Sequence, residues 1–247
     1  MIRIKDYEEL KVRIVNWLKD YYWKYDIKAF VVGVSGGIDS AVVSTLCAET
    51  GFPTYVLTMP LHSKKGNTEL SDVHAKALSK KYSNVRVVNI DLSNTYESLL
   101  FDIDQDFVNN KLANANTKSR LRMVTLYQVA GSVGGIVVGT GNKVEDYGVG
   151  FYTKYGDGGV DIAPIADLYK SEVWELGEYL DVDQRIVDAK PTDGLWDDGR
   201  NDEDQIGATY VELEEAMENK TGVALNILEE YNKKNKHKME PIPTFKL

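Results

Sequence analysis

Eight consecutive residues, Gly33, Val34, Ser35, Gly36, Gly37, Ile38, Asp39 and Ser40, carry the densest potential chemistry in the chain. Glycines let backbone N–H groups close on an oxyanion, and the hydroxyls of Ser35 and Ser40 add donors. An apolar run before them, Ala29, Phe30, Val31 and Val32, suits a buried strand. The run after them, residues 41–48, reads as a helix whose N-terminal dipole favours negative charge. The chemistry implied is the binding of a phosphate group. Asp39 would repel a bare phosphate, so its presence implies a metal ion between the two. The plainer alternative is a Gly-rich turn with a helix-capping hydroxyl.

This loop is not a Walker A loop, because no Gly-Lys-Ser/Thr follows its glycines. Ser35 also stands where a dinucleotide fingerprint needs its second glycine. The order Ser-Gly-Gly-x-Asp-Ser after a strand resembles the pyrophosphate loop of N-type ATP pyrophosphatases, which split ATP between its α- and β-phosphates. Further on, Gly139, Thr140, Gly141 and Val144 approach a dinucleotide fingerprint, but the third glycine is missing. The stretch that follows, from Gly148 to Gly159, is glycine-rich and poor helix material, so the partial match is set aside.

Such a loop needs an open sheet to hold it. Strands are expected at residues 29–32, 55–60, 85–90 and 135–139. Helices are expected at residues 7–25, 41–48, 68–82, 95–107, 117–132, 170–180, 206–218 and 224–234. Alternation of this kind predicts an α/β fold, a doubly wound, mainly parallel sheet flanked by helices, Rossmann-like and of the ATP pyrophosphatase type. Residues 62–67 and 109–116 read as polar connections. Residues 190–204, with Pro191, Gly194, Gly199 and several aspartates, read as a solvent-facing loop.

The chain has 247 residues, 43% of them hydrophobic, which fits a single domain over residues 1–247. Its formal charge of −9 argues against a nucleic-acid partner. No stretch approaches the roughly 20 apolar residues of a membrane span, and residues 1–8 lack a signal-type apolar core. A cytoplasmic location with no membrane partner is the expectation. The single cysteine, Cys47, excludes an internal disulfide and most simply packs one face of its helix. The basic cluster Lys233, Lys234, Lys236, His237 and Lys238 reads either as a solvated helix end or as a contact for an anionic ligand.

Downstream motifs choose among the pyrophosphatases. The loop, Arg120-Leu121-Arg122-Met123, Gly139-Thr140, Glu145, and the run Phe151-Tyr152-Thr153-Lys154-Tyr155-Gly156-Asp157-Gly158-Gly159 together closely resemble ammonia-dependent NAD synthetase over nearly the whole chain. No glutaminase domain of the glutamine-dependent relatives is present in this sequence. The resemblance implies a ligase that amidates nicotinate adenine dinucleotide (deamido-NAD) with ammonia. ATP is the co-substrate, and NAD, AMP and pyrophosphate are the products. It implies that the loop residues bind ATP together with Thr140, Lys170 and Thr192, although Asp193-Gly194 departs from the family's version after Thr192.

It further implies that Asp39 and Glu145 hold Mg2+ and that Arg120, Lys154, Asp161, His237 and Lys238 bind deamido-NAD, with Arg122 near phosphate. Asp157 and Lys170 are implied as catalytic, Asp157 near the reacting ammonia, and the assembly as a homodimer. Arg120 and Arg122 would point about 200° apart on a helix, so one ligand atom meets at most one of them. No Ser/His or Cys/His arrangement asks for an enzyme nucleophile. Another amide-forming or tRNA-thiolating pyrophosphatase, or a silent nucleotide sensor, is the competing reading. Basic surface and reactive cysteines would favour the thiolating enzyme, and the chain has neither.

Overall fold

Strand β1, Phe30–Gly33, is apolar on both faces because helices cover it on both sides. In the computed structural model, residues 3–62, 65–192, 194–195 and 201–246 are described, the side chains of 65–68 excepted. Phe30 and Val32 face a layer built from α1 (Tyr7–Lys24), α2 (Ile38–Glu49) and α7 (Lys170–Tyr179). Val31 faces the opposite layer, where Leu121 and Leu126 of α6 (Lys111–Val133) pack.

The sheet is parallel throughout, in the order β3 (Val85–Asn89), β2 (Thr54–Thr58), β1, β4 (Ile136–Val137). Phe30 pairs with Thr54 on one side and with Ile136 on the other. A further parallel bridge, Val138 to Ile162, extends the sheet beyond β4. The chain thus winds outward from β1 through α2, β2 and α3 (Lys65–Lys81) to β3, then returns through α4 (Ser93–Asp102), α5 (Gln105–Val108) and α6 to β4. The loops leaving β1 and β4 therefore part at a topological switch point, where open α/β sheets form their ligand crevice. The doubly wound parallel sheet is the one expected.

The remaining helices are α8 (Gln184–Val187), α9 (Asp202–Ile206), α10 (Tyr210–Asn219) and α11 (Leu225–Met239). The last two close a separate apolar cluster, Val144, Val149, Tyr210, Leu213 and Leu228, and Trp174 packs against both this cluster and the main core. Cys47 is buried in the main core, as expected.

Several boundaries differ from the sequence expectation. Helix α3 begins at Lys65 instead of residue 68. Helix α6 begins six residues early because the Asn110 carboxamide accepts from the Ala113 N–H and caps it there. One helix expected over 95–107 is two, since Ile103 is extended and Asp104 starts a new cap. One helix expected over 206–218 is also two: Gly207 at φ +87° stops α9, and a Thr209–Glu212 capping box starts α10. A π-helical turn, Val144–Val149, runs into the start of the glycine-rich stretch set aside as poor helix material. The expected loop 190–204 ends inside α9, where Asp202 is buried; its positions 193 and 196–200 lie outside the described residues, as do 63–64 of the expected connection 62–67.

Candidate active site

The phosphate-type loop is closed on itself by its own hydrogen bonds. The Ser35 N–H donates to Ser40 Oγ at 3.1 Å, Ser40 Oγ donates to the Gly37 carbonyl at 3.0 Å, and the Gly37 N–H donates to Ser35 Oγ at 3.2 Å. The two hydroxyls stand 3.2 Å apart. Gly36 adopts φ +93°, a conformation that costs a side chain but not glycine. Helix α2 then starts at Ile38 with Asp39 in its first turn, so the orphan N–H groups of its first turn lie at the switch point.

Asp39, partly buried like Glu145, belongs to a charge cluster around a buried lysine. The Lys170 ammonium, only 2% exposed, lies 2.5 Å from Asp39 Oδ2 and 3.0 Å from Glu145 Oε1. The Tyr210 hydroxyl donates to the same Glu145 oxygen at 2.7 Å, and its ring lies 4.9 Å from the ammonium. Asn142, fully buried, ties the two acids together. Its Nδ2 donates to Asp39 Oδ1 at 3.1 Å while its Oδ1 accepts from the Val144 and Glu145 N–H groups, each at 3.1 Å. Burial alone would lower the Lys170 pKa, but the two acids more than offset it and hold it above the ordinary lysine value. Burial raises Asp39 against the pull of Lys170. In Glu145 the burial effect is outweighed by Lys170 and the Tyr210 hydroxyl, and its pKa falls.

The Gly-x-Gly after β4 has a packing reason. A Cβ at Gly139 would stand 2.7 Å from Val160, and one at Gly141 would stand 2.3 Å from both Asp146 carboxylate oxygens. Asp146 is pushed up to about 7 by burial, with the charges of Glu145, Asp157 and Asp39 adding to it. It therefore lies within electrostatic reach of both halves of the site.

The second half is built around residues 150–157. Asp157 Oδ1 accepts from Ser119 Oγ at 2.6 Å and from the Thr153 N–H at 3.0 Å. Asp157 keeps an open side, yet surrounding protein raises its carboxyl pKa by burial, against the pull of those donors. Arg120 Nε donates to the Lys154 carbonyl at 3.3 Å, and Lys154 Nζ donates to the His237 carbonyl at 3.0 Å. Lys238 Nζ donates to the carbonyls of Gly150 and Tyr152. Arg120, Lys154, Asp157, His237 and Lys238 are thus brought together.

Other expected residues stand apart. Arg122 Nε turns instead to the Met59 carbonyl at the end of β2, as the helical spacing requires. Asp161 accepts from the Val137 N–H at 2.8 Å and from the Tyr127 hydroxyl at 3.0 Å, so its carboxylate finishes the edge of β4. Thr140 follows β4 and is half-buried, and Thr192 Oγ1 accepts from the Gly194 N–H at 3.2 Å. The sequence reading missed Asn142, Asp146, Tyr210 and Ser119. Only Asn142 carried a signal, its place beside the Gly-x-Gly. Ser44 and His74 do meet at 2.9 Å, both buried between α2 and α3, and His74 lines a small cavity there with Thr45, Asp181 and Asp183.

With this geometry established, the chain can be set beside known proteins. It is 38% identical to the NH3-dependent NAD+ synthetase of Carboxydothermus hydrogenoformans, over 94% of this chain and 95% of that one. It is 41% identical to the enzyme of the same description from Mycoplasmopsis pulmonis, over 85% of this chain and 79% of that one. Among solved structures, the NMN synthetase of Francisella tularensis superposes with a TM-score of 0.92 at 36% identity, covering 99% of this chain and all (100%) of that one. The NH3-dependent NAD synthetase of Campylobacter jejuni has the same fold, with a TM-score of 0.78 at 24% identity over 98% of this chain and 100% of that one. The family profile described as NAD synthase matches residues 10–242, and the chain belongs to that family.

Proposed function

We propose that this protein is a carbon–nitrogen ligase that amidates deamido-NAD with ammonia at the expense of ATP, giving NAD, AMP and pyrophosphate. The observation that carries the reading is the Asp39–Lys170–Glu145 cluster set directly against the serine–glycine loop at the sheet's switch point. A carboxylate is a poor electrophile, so its oxygen first attacks the α-phosphorus of ATP and pyrophosphate departs. Ammonia then attacks the carbonyl carbon of the acyl adenylate, AMP leaves, and the nitrogen gives up a proton.

The loop N–H groups with Ser35 and Ser40 bind the departing pyrophosphate, and Lys170 supplies buried positive charge beside it. Gly33, Val34, Gly36, Gly37, Ile38, Thr140 and Thr192 complete the ATP contacts in this reading. Arg120, Lys154, Asp161, His237 and Lys238 serve the pyridine nucleotide. Asp157, with Oδ1 engaged and its pKa raised, takes the ammonium proton.

Asp39 and Glu145 would hold Mg2+, which supplies positive charge to the phosphates when bound. Two carboxylates facing one cation position suit this hard ion, which usually completes its shell with phosphate oxygens and water. A single-domain, cytoplasmic homodimer belongs to the same reading. It is supported by the family resemblance and by exposed Phe101, Phe107, Leu112 and Val124 on α4–α6. A sedimentation mass of one chain would remove the dimer from it.

A second reading has a specific observation in its favour. The TM-score of 0.92 to an NMN synthetase exceeds the 0.78 to an NAD synthetase. Nicotinate mononucleotide is therefore the competing acceptor. Purified protein given ATP, Mg2+ and ammonium, with deamido-NAD and nicotinate mononucleotide in parallel, should form NAD faster than NMN. Faster NMN formation would move the assignment to the mononucleotide. Release of AMP and pyrophosphate with neither product would overturn the acceptor assignment altogether.

A further inference from the structure

Lys170 stands in an unfavourable place for a lysine. It is the first residue of α7, where the helix dipole repels positive charge, and it is 2% exposed. What holds it there is the pair of carboxylates, at 2.5 Å and 3.0 Å, and the Tyr210 ring face at 4.9 Å. Without the ammonium, Asp39 and Glu145 would be two partly buried negative charges with no cation between them. Magnesium contacts oxygen at about 2.0–2.1 Å, so an ion held by this pair would compete with the ammonium for Asp39 Oδ2 and Glu145 Oε1.

We propose that Lys170 is the resident cation of the Asp39–Glu145 pair and that a divalent metal arriving with ATP exchanges with it. This rests on the reading of those two acids as metal ligands. The ammonium keeps the pair paired while no nucleotide is bound, and it excludes free metal. Only a metal that brings triphosphate offers the displaced ammonium a new anionic partner, in the loop next to Asp39. Metal loading is therefore coupled to ATP binding through one side chain. Tyr210 and Asn142 hold Glu145 and Asp39 in place while the cations change over.

The test uses Mn2+ binding and melting temperature, and needs no turnover. Wild-type protein without nucleotide should bind Mn2+ weakly by electron paramagnetic resonance and gain no melting temperature from Mg2+ at matched ionic strength. Lys170→Met should melt lower than wild type and bind Mn2+ roughly tenfold or more tightly without nucleotide, because a like charge has left the site. Mg2+ should restore much of its melting temperature. The double variant Lys170→Met/Asp39→Asn, relieved of one negative charge, should melt above the single variant and lose the Mn2+ gain. This comparison also covers a single variant that fails to fold. Equal Mn2+ affinity in wild type and Lys170→Met, or a double variant no more stable than the single one, would overturn the exchange. If Mn2+ binds as expected while wild type amidates neither pyridine nucleotide, the exchange stands and the reaction assignment falls.

Discussion

Asn142 serves two acids with one carboxamide. Because its Oδ1 already accepts two backbone N–H groups at the start of the π-helical turn, its Nδ2 must face Asp39. Tyr210 plays the matching part for Glu145, donating to Oε1 from a fully buried ring. Replacing Tyr210 by Phe keeps the ring over Lys170 and deletes only the donor. Turnover should fall roughly tenfold, the worth of one hydrogen bond to a charged group, with KM for ammonia unchanged. Steady-state kinetics with each substrate varied in turn checks this, and an unaltered kcat would refute it. Asn142 was hinted at only by its place beside the Gly-x-Gly, and Tyr210 was not legible as functional. Tyr210 has the pattern of a core aromatic on an amphipathic helix, and its chemistry exists only through a partner 65 residues away in sequence. Asp39 was legible because a carboxylate inside a phosphate-type loop is a local contradiction that needs a cation.

At the scale of elements, α11 acts as a strap across the segment that carries the second half of the site. Asn232 donates to the carbonyls of Tyr147 and Gly148, Asn235 to that of Val149, and Lys238 to those of Gly150 and Tyr152. Carbonyls at the end of the π-helical turn thus find their partners on one face of a distant helix. Periodicity finds α11 but not this use of it, and a π-helical turn through Gly148 has no pattern that favours it over a loop. The long helices and all strands were legible because their apolar spacing is local; the breaks within 95–107 and 206–218 depend on caps and one left-handed glycine. Gly150 is the tightest point of the strap. It sits at φ +64°, and a Cβ there would stand 2.6 Å from Asn235 Cβ. Gly150→Ala should cost at least ~1–3 kcal/mol in chemical denaturation and raise KM for the pyridine nucleotide more than KM for ATP. Equal effects on both KM values would contradict the placement of this segment on the pyridine side.

For the whole molecule, the buried joint between α2 and α3 sets a dependence of stability on pH. His74 is 4% exposed, contacts Ser44 Oγ at 2.9 Å, and is lowered to about 4 by burial from the ordinary 6.5. Above pH 6.5 both the folded and unfolded chains keep the imidazole neutral, and its contribution to stability is fully present. Between pH 6.5 and 4 the unfolded chain takes up a proton that the folded chain refuses, so stability is lost as pH falls. Below about 4 both forms are protonated and the loss levels off. The full effect is bounded at roughly 3 kcal/mol, of which about 2 kcal/mol should be gone at pH 5. Carboxylates also titrate on the way to acid, so the variant must isolate the histidine. His74→Gln keeps a polar group near Ser44 without a titrating proton. Urea denaturation of both proteins at pH 7.5 and pH 5 should show wild type losing about 2 kcal/mol more than the variant between the two. Parallel losses would mean that His74 is accessible to water in the folded state, and the tight α2–α3 packing would have to be abandoned.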